Sequence, residues 1–393
     1  MSQITLTDQN LNAVYHNGEQ FDPSTVAIRI LDPFLVPGKQ DGANADLVFL
    51  NEYAAHVNDQ LADILRSSGY TDVSVHPTTL ANYESIVENI KTELKSSLPV
   101  PQGTSKTVVV LNLCDGTEND GYPGPSVLSE LERLRIPYTG SNVPFYEIST
   151  SKPLIKRHLQ AHGVPTSPFI EIDPHGVGTD EEDFDIVGFP LIIKPSLGYA
   201  SLGIGPHSVC TSIESVLDAV HTTRKLTFDA RTFAERFLDG REFTVLLVGT
   251  PPGPLLVYPP AERVFSPELD GPDRMLQFDK YWKTDAGSFY SYVNLSADEQ
   301  ELEEELIDIA RNAYTACGGI GYGRVDLRTT RREKSTNWEI MVLEVNANPS
   351  LAFDPLMSTS GAILNLAKEP ASEFLHRIIS DALSRARNKE KLA

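Results

Sequence analysis

The chain has 393 residues, 40% of them hydrophobic and 22% charged. That composition is ordinary for a soluble globular protein, and the length exceeds one core, so two or three domains are expected. The formal net charge of -21 excludes a general nucleic-acid binder, which needs a basic footprint, but not a local basic pocket for one anionic ligand. No run of about 18 apolar residues occurs, so no membrane span is expected. The opening MSQITLTDQNLNAV lacks the pattern of a secretory signal. Cys114, Cys210 and Cys317 are too few and too widely spaced for a disulfide framework or a zinc site, which points to a reduced, cytoplasmic protein.

In chain order, residues 1–25 are polar and unpatterned. VAIRIL (26–31) and ADLVFL (45–50) read as strands, and Asn51–Ser68 as an amphipathic helix. A short strand is expected at Val73–His76 and a helix at Tyr83–Leu94. TVVVLNLCDG (107–116) is a continuous apolar run opening into a Gly/Asp loop, as a buried parallel strand delivers a ligand loop at its carboxyl end. In that loop Asp115, Glu118 and Asp120 are candidates for binding an amine, or simply form a polar turn. A helix at Pro125–Leu134 and a strand at IPYTGS (136–141) complete an open α/β domain over residues 1–150.

A second unit, residues 151–231, begins with a helix capped by Ser151 and ending at Gly163. Phe189–Lys194 is a strand that opens into PSLGYASLGIG (195–205), and Ile213–Arg224 is a helix. The third unit, residues 232–393, starts with the strands TFAERF (232–237) and EFTVLLV (242–248). A long polar segment, Pro259–Gly287, reads as a cover over a site, and Ala297–Ala316 as an acidic amphipathic helix. Helices at Gly361–Lys368 and Glu373–Ala386 precede a basic tail, RNKEKLA, expected to fray.

Chemistry concentrates in GYGRVDLRTTRREKSTNWEIMVLEVNANPSLAFDPL (321–356). Two strand-like runs, Tyr322–Arg328 and Glu339–Val345, flank a polar connection and read as a hairpin. Residues two apart on a strand share a face, so Glu344 and Asn346 point one way, and the hairpin can bring Asp326 beside them. Two carboxylates and an amide oxygen, without His or Cys, suit Mg²⁺; the alternative is a surface hairpin with solvated acids.

Four further elements suit a nucleoside triphosphate. Lys152 and Lys194 offer point charges, the latter just before a Gly/Ser loop whose backbone N–H groups can cradle phosphate. In AERFLDGREF (234–243), Glu235 ends a strand, the Phe237 and Leu238 backbone can meet an adenine edge, and Glu242 can accept from ribose hydroxyls. The same stretch also reads as a tight turn with solvated acids. Lys280, in DKYW (279–282), could reach a terminal phosphate from a cover loop, or be an ordinary surface lysine. Neither a P-loop nor a dinucleotide fingerprint is present.

In this order and spacing, PYTGSNVPFYEISTSKPLIKRHLQAHGVPT, FPLIIKPSLGYASLGIG, AERFLDGREFTV, DKYW, GYGRVDLR and LEVNANPSL resemble the ATP-grasp superfamily, and its D-alanine–D-alanine ligase branch in particular. The resemblance spans most of residues 136–356 and implies a three-domain α/β fold enclosing ATP. It implies that Lys152 and Lys194 meet ATP phosphates, Glu235 and the Phe237–Leu238 backbone the adenine, and Glu242 the ribose. Lys280 would close over the γ-phosphate, with Tyr281 and Ser201 as further catalytic positions and Arg324 as the transition-state arginine. Asp326, Glu344 and Asn346 would hold Mg²⁺, for which Mn²⁺ could substitute. The implied reaction joins a small-molecule carboxylate and an amine, both amino acids, through an acylphosphate, with release of ADP and phosphate. A homodimer through the first domain is the family's habit.

The chain also departs from that pattern. The family's glycine-rich N-terminal segment with its glutamate has no counterpart; VPGKQDG (36–42) and CDGTENDG (114–121) stand in the first domain instead. The family's first loop serine becomes Ala200, its later glycine Ser350, and its serine–leucine pair Pro355–Leu356. The ATP half is kept while the amino-acid half is rewritten. Two other functions fit the same residues: a small-molecule kinase on this scaffold, and a nucleotide-binding protein without catalysis.

Overall fold

A computed structural model describes residues 21–34, 60–96, 106–172, 184, 186–198, 201–227, 231–331, 338–356 and 358–392. The expected strand at 45–50, the segment 36–42 and Ala200 lie outside these residues.

The first domain is a three-stranded parallel sheet in the order β2-β1-β3, built from β1 (Val26–Pro33), β2 (Asp72–Thr78) and β3 (Thr107–Asn112). β1 lies between the other two and buries six successive residues, as a central parallel strand covered on both faces must. Helix α1 is described over 60–67, and α2 (Tyr83–Ser96) and α3 (Pro125–Arg133) follow. Among the described residues, the run expected to be a strand at 136–141 makes only one bridge, Val110 to Tyr138. A helix not expected from the sequence, α4 (Val143–Thr150), comes next, capped by the Asn142 side chain and with Pro144 in its first turn. Proline fits there because the first helical N–H has no partner to lose.

α5 (Lys152–Ala161) leads into an antiparallel sheet of order β4-β7-β5-β6, formed by β4 (Phe169–Ile172), β5 (Leu191–Pro195), β6 (Val209–Cys210) and β7 (Thr232–Arg236), with α6 (Ile213–Leu226) packed on it. Sheet membership thus groups Thr232–Arg236 with the central strands. The third sheet runs β11-β10-β8-β12-β13, with β9 (Leu255–Val257) beside β8 (Glu242–Gly249). Its other members are β10 (Ala261–Phe265), β11 (Tyr290–Asn294), β12 (Tyr322–Arg331) and β13 (Trp338–Ala347). The segment read as a cover therefore contributes a strand, β10, as well as the short helix α7 (Phe278–Trp282).

On one face of this sheet, Val325, Leu327, Val342 and Val345 pack with Phe145, Ile155, Leu159 and the Leu306, Ala310 and Tyr314 side chains of α8 (Gln300–Ala316). The opposite face carries the charged residues. α9 (Thr359–Leu366) and α10 (Ala371–Leu392) end the chain; α10 continues through the basic tail to Leu392 instead of fraying. Its Phe374, Leu375, Ile378 and Ile379 join the β1 core to the third sheet. Among the described residues no helix is long and apolar enough to cross a membrane, and the three cysteines are free and buried.

The candidate active site

β12 and β13 form the antiparallel hairpin expected from the sequence, with Arg324 opposite Asn346 and Asp326 opposite Glu344. Between Leu327, paired with Val342, and Asp326, paired with Glu344, Leu343 is the extra residue of a β-bulge. A bulge resets the alternation of faces by one residue. Val342 and Val345 are both core residues, so Glu344 is turned to the face that Asp326 occupies.

There the groups converge. Arg324 grips Asp326 with two bonds of 2.8 Å, and the Thr244 hydroxyl donates to the same carboxylate at 2.7 Å. The Asn346 amide lies 3.1 Å from Asp326 and 3.3 Å from Glu344. Lys152 stands 3.7 Å from Glu344 and donates to the Gly198 carbonyl at 2.8 Å. Burial would raise the Asp326 carboxyl, but the Arg324 guanidinium outweighs it and holds the acid below its ordinary range. Among the described residues no three His, Cys, Asp or Glu side chains cluster as a metal site. Two carboxylates with an amide are the donor set available, and it fits a hard cation such as Mg²⁺.

These residues line one side of a cavity of about 430 Å³. Lys194, Ser201, Glu235, Phe237, Leu238, Glu242 and Tyr281 line it as well. Ser201 does so with a backbone φ of 58°, and Tyr281 lies in α7. Lys280 is not brought to the wall; its ammonium is bonded to Gln277 at 2.7 Å. Leu356 is 70% exposed and also lies off the wall, where Ser350 and Ser358–Ser360 stand instead.

Two acids expected at the nucleotide are held by cations, of which only Lys194 was singled out from the sequence. Glu235 is 1% exposed and sits between Lys156, at 2.5 Å, and Lys194, at 2.6 Å. Ser167 donates to it at 2.5 Å, and Lys156 donates to Thr166 and Ser167 at 3.0 Å each. Burial alone would raise the Glu235 carboxyl, yet the two ammonium groups hold it down at about 2. Burial wins for Lys156, whose pKa is lowered, while Glu235 wins for Lys194, whose pKa is raised. Glu235 therefore fixes Lys194 in place and in charge.

Glu242, 4% exposed, is gripped by Arg263 and lies 3.4 Å from Arg328. Arg263 in turn donates to the Tyr292 hydroxyl, which bonds Thr359 at 2.9 Å. Ile192, Phe237, Met275 and Ile204 pack together and give the cavity an apolar slot beside Leu238. The Phe237 N–H is spent on the Pro190 carbonyl at 2.8 Å, which leaves Leu238 as the backbone donor at the slot. Arg263 carries no sequence signal beyond its place in a strand whose charges alternate; Lys156 lay one helical turn from Lys152.

Comparison with known proteins places this geometry. The family described as "D-ala D-ala ligase C-terminus" matches residues 158–360. The D-alanine–D-alanine ligase of Chromohalobacter salexigens is 31% identical over 247 residues, 62% of this chain and 69% of that protein. That of Bordetella avium is 29% identical over 265 residues, 67% of this chain and 75% of its own. Among solved structures, the D-alanine–D-alanine ligase of Bacillus anthracis complexed with ATP aligns over 93% of this chain and 99% of its own, with a TM-score of 0.59 and 20% identity. The Coxiella burnetii enzyme aligns over 74% and 72%, with a TM-score of 0.52 and 22% identity. The chain thus has the ATP-grasp fold and belongs to the D-alanine–D-alanine ligase family of enzymes that form carbon–nitrogen bonds.

Proposed function

We propose that the protein is an ATP-dependent ligase that joins two amino acids through an acylphosphate, releasing ADP and phosphate. The observation that carries this reading is the convergence of Arg324, Asp326, Glu344, Asn346 and Lys152 at a charged end of the same cavity that holds the apolar slot beside Leu238. Adenine binding alone would need the slot and not the charged end. In this reading the base lies in the slot with the Leu238 N–H at its edge, the ribose lies towards Glu242, and Lys152 and Lys194 face the phosphates. Asp326, Glu344 and Asn346 would hold Mg²⁺, which offsets charge on the transferring phosphoryl group. Arg324 then stabilises the oxyanion that forms as the amine adds to the acylphosphate. Lys280, Tyr281 and Ser201 belong to segments that would close over the reacting groups and exclude water; Lys280 must leave Gln277 to take part.

The test is phosphate release in the presence of ATP, Mg²⁺ and amino-acid pairs, with hydroxylamine added to capture the intermediate and the product mass measured. A hydroxamate together with a dipeptide mass is the expected result. A phosphate ester as the final product would instead make the protein a kinase, and tight ATP binding without turnover on any pair would make it a binding protein.

A further inference from the structure

Five acids line the cavity: Asp115, Glu235, Glu242, Asp326 and Glu344. Four of them have cations on hand. Glu235 has Lys156 and Lys194, Glu242 has Arg263 and Arg328, Asp326 has Arg324, and Glu344 has Lys152. Asp115 has no ion pair among the described residues. It sits in the loop after β3, at the carboxyl end of a parallel strand, where open α/β sheets present ligands. It is exposed, and it lines the cavity.

The other acids of that loop are committed elsewhere. Asp120 accepts from the Thr117 and Tyr122 backbone N–H groups at 3.0 and 2.9 Å. Glu118 accepts from the Ser126 N–H at 2.7 Å and from its hydroxyl at 3.0 Å. The Tyr146 hydroxyl ties down the backbone carbonyls of Asp115 and Gly116. These bonds brace the loop and leave the Asp115 carboxylate facing the cavity. Around it, Asn112 and Tyr122 line the same wall, 1% and 4% exposed, and the Asn112 amide nitrogen and Tyr122 hydroxyl find no partner among the described residues. Buried polar atoms seldom go unbonded in a finished site.

We propose that Asp115 is the ammonium anchor of the carboxylate-donating substrate, so that this substrate is an amino acid bound through its primary amino group at the first-domain wall. The inference rests on the ligase reading above and names the residue that selects the substrate. Desolvation by the protein around the cavity, and after it the charge of Asp120, push the Asp115 carboxyl up to about 7, as befits an acid whose cation arrives with the ligand.

The test uses the full chain with ATP, Mg²⁺ and hydroxylamine. The common L-amino acids, their D-isomers and β-alanine are assayed for hydroxamate, each beside the acid of the same carbon skeleton without its amino group. Wild-type protein is expected to trap at least one amino acid and to reject its deaminated counterpart. In Asp115→Asn, which keeps the side-chain volume, kcat/KM for that amino acid should fall at least tenfold and the gap to the deaminated acid should narrow. ATP binding, followed by calorimetry, should be unchanged and doubles as the check on folding. Equal use of the deaminated acid by wild type, or unaltered discrimination in Asp115→Asn, overturns the anchor alone. No hydroxamate from any acid overturns the ligase reading beneath it.

Discussion

Asp326 and Glu344 stand directly opposite each other on β12 and β13, and the bulge at Leu343 is what turns Glu344 to that face. Were Leu343 in regular register, alternation from Val342 would carry Glu344 to the core side, with Val325 and Leu327. Glu344 is the less buried of the two, with 29% of its side chain exposed, so it can be changed with little effect on folding. Glu344→Gln should lower amino-acid-dependent phosphate release about 100-fold or more, with the melting temperature nearly unchanged. Calorimetry and a phosphate assay on one preparation check both halves.

Lys156 is a different case, because its ammonium is wholly buried. Lys156→Met removes one of the two cations on Glu235 and leaves the Thr166 and Ser167 hydroxyls without their donor. Breaking such a pair costs about 3–5 kcal/mol, read from urea unfolding. The remaining cation, Lys194, is then held by Glu235 without competition, so the KM for ATP should rise more than kcat falls.

The same triad sets an acid limit. The Glu235 carboxyl is held at about 2 against an ordinary value of 4.5. A carboxyl depressed in the folded state stabilises fully above its unfolded value and loses that contribution as the pH falls towards the folded one. Glu235→Gln should therefore be less stable than wild type at about pH 6, and the difference should shrink between about pH 4.5 and about pH 2. Urea midpoints of both proteins across that range test it.

Gly116 makes the loop around Asp115 possible. A β-carbon there would lie 2.4 Å from the Tyr122 β-carbon and 2.6 Å from its carbonyl oxygen. Gly116→Ala should displace the loop at a stability cost of about 1–3 kcal/mol. Amino-acid-dependent turnover should fall, while the affinity for ATP, which on the proposed reading is bound by other residues of the cavity, stays close to that of wild type.

The hairpin was legible in the sequence because its two signals are local: alternation with a period of two, and hard-oxygen side chains spaced two apart. The family was legible because its segments stand in a fixed order along the chain. What escaped was set by distant neighbours. Nothing near Glu235 announces that Lys156, a helix away, will neutralise it, and AERVF reads as polar although Arg263 is buried against Glu242. α4 was missed because its Pro144 and its Ser149–Thr150 end read as loop chemistry, whereas proline sits comfortably in a first helical turn. IPYTGS has strand composition but, among the described residues, bridges only to Val110.

Ser141 and Asn348 join the first domain to the end of the hairpin. Asn348 accepts from the Ser141 N–H at 2.8 Å and donates to its hydroxyl at 3.0 Å. Beside them the Gly321 β-position lies 2.3 Å from the Gly140 carbonyl oxygen, so the two backbones are in contact. The turn at 139–141 hangs from β3 through the Thr139–Val110 bond of 2.9 Å, and β3 also carries the Asp115 loop. The span from Asp115 to the strands bearing Arg324 and Asp326 is thereby fixed by covalent geometry and a few short bonds. On the reading proposed here the cavity works as a caliper. It grades substrates by the reach between their amino and carboxyl groups before it tests anything about their side chains.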